Sequence, residues 1–162
     1  MTILGIDPGI ARCGWAIITI NRGIITNPLA GCIETPKEDL IQERLITLYD
    51  EIESLIKKHQ PEVVSIEDLF MAANTKTAIT VGQARGVVIL AAGKNNLPVV
   101  SYTPLVIKQT ITGWGRADKK QVQIMTQKIL KLPELPKSDD AADALGVAIT
   151  HAFSYKLKAK TL

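Results

Sequence analysis

The sequence predicts a single α/β domain in which helices flank a mixed five-stranded sheet. Three observations predict this class. Short apolar strands alternate with amphipathic helices, no linker or repeat divides the 162 residues, and hydrophobic residues make up 46% of the chain. A chain of this length buries about two-thirds of its unfolded surface. We expect one domain over residues 1–155 and a short basic tail at 156–162.

The first three elements read as strands joined by short turns. An apolar strand ends at Asp7-Pro8-Gly9, a strong turn sequence, and Asn21-Arg22-Gly23 forms the second turn. The three predicted strands are Ile3–Ile6, Cys13–Ile20 and Ile24–Ile33. Because consecutive strands with short turns pair antiparallel, we expect a meander.

A helix and a fourth strand follow. Apolar residues recur every three or four positions from Lys37 to His59, which predicts a helix with one buried face, and Pro61 ends it. Val63–Glu67 is then a nearly all-apolar strand. Because a helix followed by a strand is a crossover connection, the fourth strand is expected to lie parallel to the first, with both near the centre of the sheet.

The rest of the chain is mainly helical. Ser138 is a candidate N-cap for the last helix. Gly82 and Gly86 share one helix face, and close packing on the sheet or on a second subunit is expected to offset their cost of up to ~1 kcal/mol each. The predicted elements are a helix over Thr77–Ala92, a strand over Pro98–Tyr102, and helices over Pro104–Ile111, Lys119–Leu132 and Ser138–Ala152.

Charge is divided unevenly along the chain. Lys and Arg number 19 and Asp and Glu number 16, which gives a net charge of +3 and a pI near 8.9. Residues 1–70 hold six of the basic residues against eleven acids, whereas residues 71–131 hold nine basic residues and only Asp118 as an acid. This partition indicates an acidic site beside a basic surface for a polyanion, although solvated helix faces would give the same pattern.

Several classes of protein are excluded. No stretch approaches the roughly 20 apolar residues of a membrane span, and a secretory signal pattern is absent. Cys13 and Cys32 form no Cys-x-x-Cys pair, which argues against a zinc site or a disulfide framework and favours free thiols. We therefore expect a cytoplasmic protein with no membrane partner.

The predicted topology brings four carboxylates together in one group. Asp7 and Glu67 end parallel strands, so both should emerge at the same edge of the sheet, where α/β proteins bind ligands. Asp140 and Asp143 are three residues apart and share a helix face among small apolar residues. Because burying an unpaired carboxylate is costly, a bound cation is expected there.

Four carboxylates of this kind suit metal-assisted phosphate chemistry. Hard oxygen ligands select Mg²⁺ or Mn²⁺. Two such ions about 3.5–4 Å apart activate water on one side of a phosphorus and stabilise the leaving oxygen on the other. A carboxylate cluster without metal would instead repel a phosphodiester.

Taken singly, the acids have simpler explanations. Asp7 suits the start of a Pro-Gly turn, and Glu67 could be ordinary strand-end polarity. Asp139 and Asp140 lie in a first helical turn, where carboxylates favour the helix dipole. Either Asp139 or Asp140 could occupy the ligand position, and the three-residue spacing to Asp143 favours Asp140.

Seven segments in order along the chain resemble the RuvC-type Holliday junction resolvases of the ribonuclease H-like superfamily. A lone Asp-Pro-Gly is weak evidence, whereas the ordered set is specific and runs almost end to end. The segments are Gly5–Gly9, Ile66–Ala72, Val81–Val87, Val106–Thr110, Lys120–Gln123, Asp140–Leu145 and Ile149–His151.

The resemblance implies a ribonuclease H-like three-layer fold and a homodimeric Mg²⁺-dependent endonuclease. Such an enzyme nicks two opposing strands of a four-way DNA junction during recombination and repair. It also implies two Mg²⁺ ions per site, replaceable by Mn²⁺, a nucleoid location, and a branch-migration complex of RuvA and RuvB as partner. The implied catalytic residues are Asp7, Glu67, Asp140, Asp143 and Lys119, of which the four acids bind metal, and the implied DNA contacts are Phe70, Arg85, Lys108, Lys119 and Lys120.

Alternatives from other classes stay open at this point. A junction-binding protein that does not cut would keep the basic surface without metal dependence. A phosphotransfer ATPase of the same superfold would need further glycine-rich phosphate turns, and only Asp7-Pro8-Gly9 resembles one. A nuclease acting on RNA–DNA hybrids is the nearest enzymatic rival.

Overall fold

The computed structural model describes residues 1–68, 75–134, 136 and 138–158. Within these ranges, strands and helices follow the predicted order. The strands are β1 (Thr2–Asp7), β2 (Arg12–Asn21), β3 (Ile24–Glu34), β4 (Val63–Glu67) and β5 (Val99–Tyr102), and the helices are α1 (Ile41–His59), α2 (Thr75–Lys94), α3 (Pro104–Thr112), α4 (Lys119–Leu130) and α5 (Asp139–Lys158).

The five strands form one mixed sheet with the order β3-β2-β1-β4-β5. β1 pairs antiparallel with β2 and parallel with β4, while β5 extends the parallel part beyond β4. The predicted meander, the parallel fourth strand and its central place are confirmed. In the β1–β4 register Ile6 lies opposite Ile66, so the residues that follow them leave the sheet side by side.

Helices cover both faces because alternate strand residues point to opposite sides. Ile3 and Ile18 pack in a core with α3, α4 and α5, whereas Leu4 and Ile17 pack in a second core with α1 and α2. The result is the predicted three-layer α/β arrangement. No helix of the described residues is both long enough and apolar enough to cross a bilayer.

Two glycines let α5 lie unusually close to the sheet. A Cβ on Gly5 would stand 2.5 Å from the carbonyl oxygen of Ala144, and one on Gly14 would stand 2.0 Å from that of Asp140. No side chain fits at either position without moving backbone. The close approach brings the N-terminal half of α5 against the end of β1, where Asp7 lies.

Element ends differ most from prediction at α1 and α5. α1 begins at Ile41 rather than Lys37, because the N–H of Asp39 bonds back to the Pro36 carbonyl in a turn and the Glu43 side chain accepts the N–H of Leu40. α5 continues beyond Ala152 to Lys158 and so crosses the predicted start of the tail at residue 156. Residues 159–162 lie outside the described part. Both cysteines are free, as predicted.

Candidate active site

Asp7 and Glu67 lie side by side at the carboxyl edge of the sheet and share a hydrogen bond. Burial is the largest cause of raised pKa values for both. It lifts the pKa of Asp7 to about 6, with the negative charges of Asp143 and Asp140 adding to the effect. The pKa of Glu67 rises to about 8 through burial and the neighbouring Asp7 charge. The two carboxyls therefore hold a proton between them at neutral pH when no cation is present.

Asp143 is the third acid of this group. It lies one turn along α5 from Asp140, half-buried, and burial raises its pKa. The ammonium of Lys119 lies 3.3 Å from its Oδ2 atom and opposes that rise. Lys119 starts α4 directly after Asp118, whose carboxylate caps the helix by accepting the N–H of Gln121. The cap thus fixes the place of Lys119 opposite Asp143.

Asp140 is held on the other flank of the group by Arg12. The Arg12 Nε atom donates to Asp140 Oδ2 at 2.7 Å, and Ser138 Oγ donates to the same oxygen at 3.2 Å. Although partial burial opposes the change, the bond from Arg12 lowers the pKa of Asp140. Arg12 also pairs with Glu34 at 2.8 Å. The sequence reasoning missed Arg12, since nothing in its surroundings signals a partner 128 residues away.

Asp139, the alternative to Asp140, is bound by two residues of α4. Its Oδ2 atom lies 3.3 Å from Lys119 Nζ, and its Oδ1 atom accepts from Gln123 Nε2 at 2.9 Å. It is the most exposed of these acids, with 68% of its side chain accessible. Asp139 of α5 thus binds Lys119 and Gln123 of α4, and its charge is not among those that shift the pKa of Asp7.

A cavity of about 210 Å³ opens beside the group. Two acids and two lysines face it, so it combines metal-type ligands with cations suited to phosphate. Apolar residues of α3 and α4 close its far wall. Its lining residues are Glu67, Pro104, Ile107, Lys108, Lys119, Val122 and Asp143.

The donor set of this site fits a hard divalent cation. The available ligand atoms are carboxylate oxygens, and the raised pKa values of Asp7 and Glu67 reflect the cost of burying their charges, which a bound cation would offset. Among the residues described, however, no three Asp, Glu, His or Cys side chains are already close enough to ligate one ion. Lys119 and Arg12 hold Asp143 and Asp140 apart, and these ion pairs occupy the acids without metal.

The predicted DNA contacts fall into three groups. Lys108 and Lys119 line the cavity, and Lys120 is exposed at the start of α4. The Arg85 side chain is 16% exposed and donates to the Glu67 carbonyl oxygen at 2.9 Å and to Ser101 Oγ at 2.6 Å, so it braces the strand ends, and its contact with DNA stays a prediction. Phe70 lies outside the described residues.

The cost of burying the Glu67 charge predicts that Glu67→Gln stabilises the metal-free protein. The raised pKa of Glu67 means that the folded state binds more protons than the unfolded state between pH 4.5 and about 8, so stability is lost as pH rises through that window. Glutamine avoids this loss. We expect a gain of about 2 kcal/mol at pH 8.5, equivalent to roughly 4–8 °C in melting temperature, and almost none at pH 4.

Thermal unfolding in EDTA at both pH values measures this effect. Glu51→Gln, an exposed acid on α1, is the matched control and should change the melting temperature by less than about 1 °C. An equal gain for Glu67→Gln at pH 4 and pH 8.5 would contradict the assignment, because a packing effect does not follow the titration.

Comparison with known proteins gives a consistent result. The family model described as crossover junction endodeoxyribonuclease RuvC matches residues 3–151. RuvC of Desulfitobacterium hafniense is 52% identical over 157 residues, which cover 97% of this chain and 95% of the relative. The structure of Thermus thermophilus RuvC superposes with a TM-score of 0.90 at 32% identity and covers 98% of this chain and 97% of its own.

A second Thermus thermophilus structure contains RuvC in complex with a Holliday junction substrate. It has a TM-score of 0.92 and 31% identity, with coverage of 98% of this chain and 96% of that one. These matches confirm the predicted family and the predicted fold class. The chain belongs to the RuvC family of crossover junction endodeoxyribonucleases.

Proposed function

We propose that this chain, as a homodimer, binds a four-way DNA junction and hydrolyses one phosphodiester in each of two opposing strands with Mg²⁺. The observation that carries the proposal is the group of buried acids at the carboxyl edge of the sheet, which shares a cavity with two lysines. Membership of the RuvC family supports a four-way DNA junction as the substrate. Family membership also implies a divalent metal, and the oxygen-only ligand set favours Mg²⁺, with Mn²⁺ as a substitute.

The acids have separate tasks in this proposal. Asp7, which bonds Glu67 and lies within the influence of the Asp143 and Asp140 charges, would hold the metal together with those three acids. The side chains of Arg12, Ser138 and Cys32 all bond Asp140 through its Oδ2 atom, so Oδ1 is the oxygen that Asp140 would offer to a cation. Two bound metal ions would supply an activated water and would neutralise charge at the leaving oxygen.

The two cavity lysines provide charge that is independent of metal. Partial burial alone would lower the pKa of Lys119, but Asp143 and Asp139 raise it, so Lys119 stays protonated at neutral pH. Lys108 lies across the same cavity. Both ammonium groups can hold the scissile phosphate and stabilise the negative charge that develops on its oxygens.

Cleavage of a labelled four-way junction and of a linear duplex, each with and without Mg²⁺, tests the function. We expect paired nicks in the junction only with Mg²⁺ and at least a hundredfold slower cutting of the duplex. Junction binding without cutting in Mg²⁺ or Mn²⁺ would favour a pure binding protein. Faster cutting of an RNA–DNA hybrid would indicate the rival nuclease activity.

The exposed face of α2 supports the homodimer. Ile79, Gly86 and Leu90 follow one another at steps of seven and four residues, so they share a face, and Ile79 and Leu90 are 59% and 57% exposed. Apart from its chain neighbours and the backbone of its own helix, a Cβ on Gly86 would meet no atom of the described residues within 4 Å. The predicted close packing of this glycine therefore has no partner within the described chain, which favours the second of the two predicted options, another subunit.

A charge placed on this face should separate the subunits. We expect Leu90→Glu to raise the dimer dissociation constant at least about tenfold, because two buried like charges would meet across the symmetric interface. Ile46→Glu, at a 59% exposed position on α1, is the matched control. Sedimentation at micromolar concentration measures the change. A wild-type protein that sediments as a monomer would refute the dimer.

Two finer assignments accompany the proposed function. We expect the dimer to act with a RuvA and RuvB branch-migration complex and to associate with the nucleoid in the cytoplasm. Co-sedimentation with those proteins on a synthetic junction tests the first, and localisation of a fluorescent fusion tests the second.

A further inference from the structure

Trp114 is exposed on the loop that joins α3 to α4. Its side chain is 59% accessible, and it is one of two tryptophans in the chain, the other being half-buried Trp15 on β2. A large exposed aromatic side chain is characteristic of a binding surface, since its apolar area is otherwise left in water. Neither the acids nor the lysines of the candidate active site explain why a tryptophan stands there.

The loop holds the backbone of Trp114 in a defined place. The Trp114 N–H donates to Thr112 Oγ1 at 3.1 Å, and its carbonyl oxygen accepts the N–H of Ala117 at 3.1 Å. Gly113 ends α3 with a left-handed φ of 79°. A Cβ on Gly115 would stand 2.6 Å from Leu105 Cδ1, so the loop is seated directly on α3. The indole is thus presented from a fixed backbone, which limits the entropy cost of binding.

The charge around Trp114 identifies the kind of ligand. The loop joins the helix of Lys108 to that of Lys119, and both lysines line the active-site cavity. Arg116 and Lys120 are exposed beside them, while the one acid of the loop, Asp118, is used as the α4 cap. An exposed aromatic side chain on a loop between two helices that line this cavity, with exposed basic residues close in sequence, matches the stacking-plus-charge arrangement by which proteins hold unpaired bases.

We propose that Trp114 stacks on an unpaired nucleobase of the DNA strand that enters the active-site cavity. This inference rests on the proposed function and adds a contact to it. An exposed tryptophan, together with exposed Leu105 of α3, would also suit a protein partner. The exposed basic residues Arg116 and Lys120 favour DNA instead. Stacking orients the base and so holds the adjoining phosphate near Lys108 and Lys119. Trp114 is in this sense a positioning residue.

Intrinsic fluorescence tests the contact directly. In a Trp15→Phe background Trp114 is the sole tryptophan, and metal-free protein leaves the DNA uncut. We expect saturable quenching by a four-way junction and by a single-stranded oligonucleotide, and much weaker quenching by a fully paired duplex. Equal quenching by the junction and the duplex, or none by any DNA, would overturn the proposal.

Affinity measurements on substitutions in the native background provide the second test. We expect Trp114→Leu and Trp114→Ala to weaken junction binding about tenfold and Trp114→Phe to change it less than threefold, because leucine keeps apolar area but lacks a ring to stack. Wild-type affinity for Trp114→Leu would overturn the proposal, as would a change confined to self-association. Wild-type protein that cuts no junction would refute the proposed function, which is a separate outcome.

Discussion

Replacing Asp7 with asparagine is expected to slow junction cleavage by about 10³-fold while changing junction affinity less than about threefold. Asp7 bonds the Glu67 carboxyl and is exposed to the negative charges of Asp143 and Asp140. The amide keeps the shape of the side chain but removes the charge with which it would hold two cations. DNA affinity depends mainly on basic residues, so binding should survive.

Single-turnover cleavage at saturating protein measures the chemical step, and a gel-shift titration without metal measures binding. Asp50→Asn on α1 is the matched control, since it removes an exposed acid remote from the sheet edge. Near wild-type nicking by Asp7→Asn would show that the metal site has been assigned to the wrong residues.

Replacing Lys119 with alanine is expected to slow cleavage by about 10²-fold at saturating junction concentration. The ammonium of Lys119 lies 3.3 Å from both Asp143 and Asp139 and faces the cavity. Its removal takes away a fixed cation beside the phosphate and leaves two acids without their partner. Lys119→Arg should recover part of the lost rate, because it restores the charge with a different shape.

The same single-turnover assay distinguishes chemistry from binding for Lys119. Lys128→Ala is the control on the same helix, where the side chain is exposed near the C-terminal end of α4. A loss for Lys119→Ala that disappears at higher protein concentration would assign the residue to binding alone and contradict a role in the chemical step.

Element order and sheet topology followed from local patterns. Apolar periodicity identified α1, and the crossover by this helix from the third strand to the fourth required the fourth strand to run parallel to the first. That parallel arrangement in turn predicted Asp7 and Glu67 at one edge, because residues after Ile6 and Ile66 leave the sheet together. These inferences succeeded because backbone geometry and hydrophobic burial act over short stretches of chain.

The same local patterns do not predict which residues form ion pairs. Asp140 and Asp143 are neighbours on α5, yet one is bound by Arg12 from β2 and the other by Lys119 from α4. Arg85, predicted as a DNA contact, also bonds the Glu67 carbonyl oxygen, a partner that its place in the sequence does not reveal. A charged residue carries no sequence signal of its partner, since any opposite charge brought within reach serves equally well.

The sequence by itself indicated the family and the three-layer α/β fold, and it predicted a metal site made of four acids. The tertiary structure decided which acids converge without metal and which are held by cations. Gly5 and Gly14 illustrate the physical reason, because the space they leave allows α5 to approach β1 and β2 closely. Distances of a few ångströms set by that packing decide each carboxylate's partner and pKa, and they depend on contacts between residues far apart in the chain.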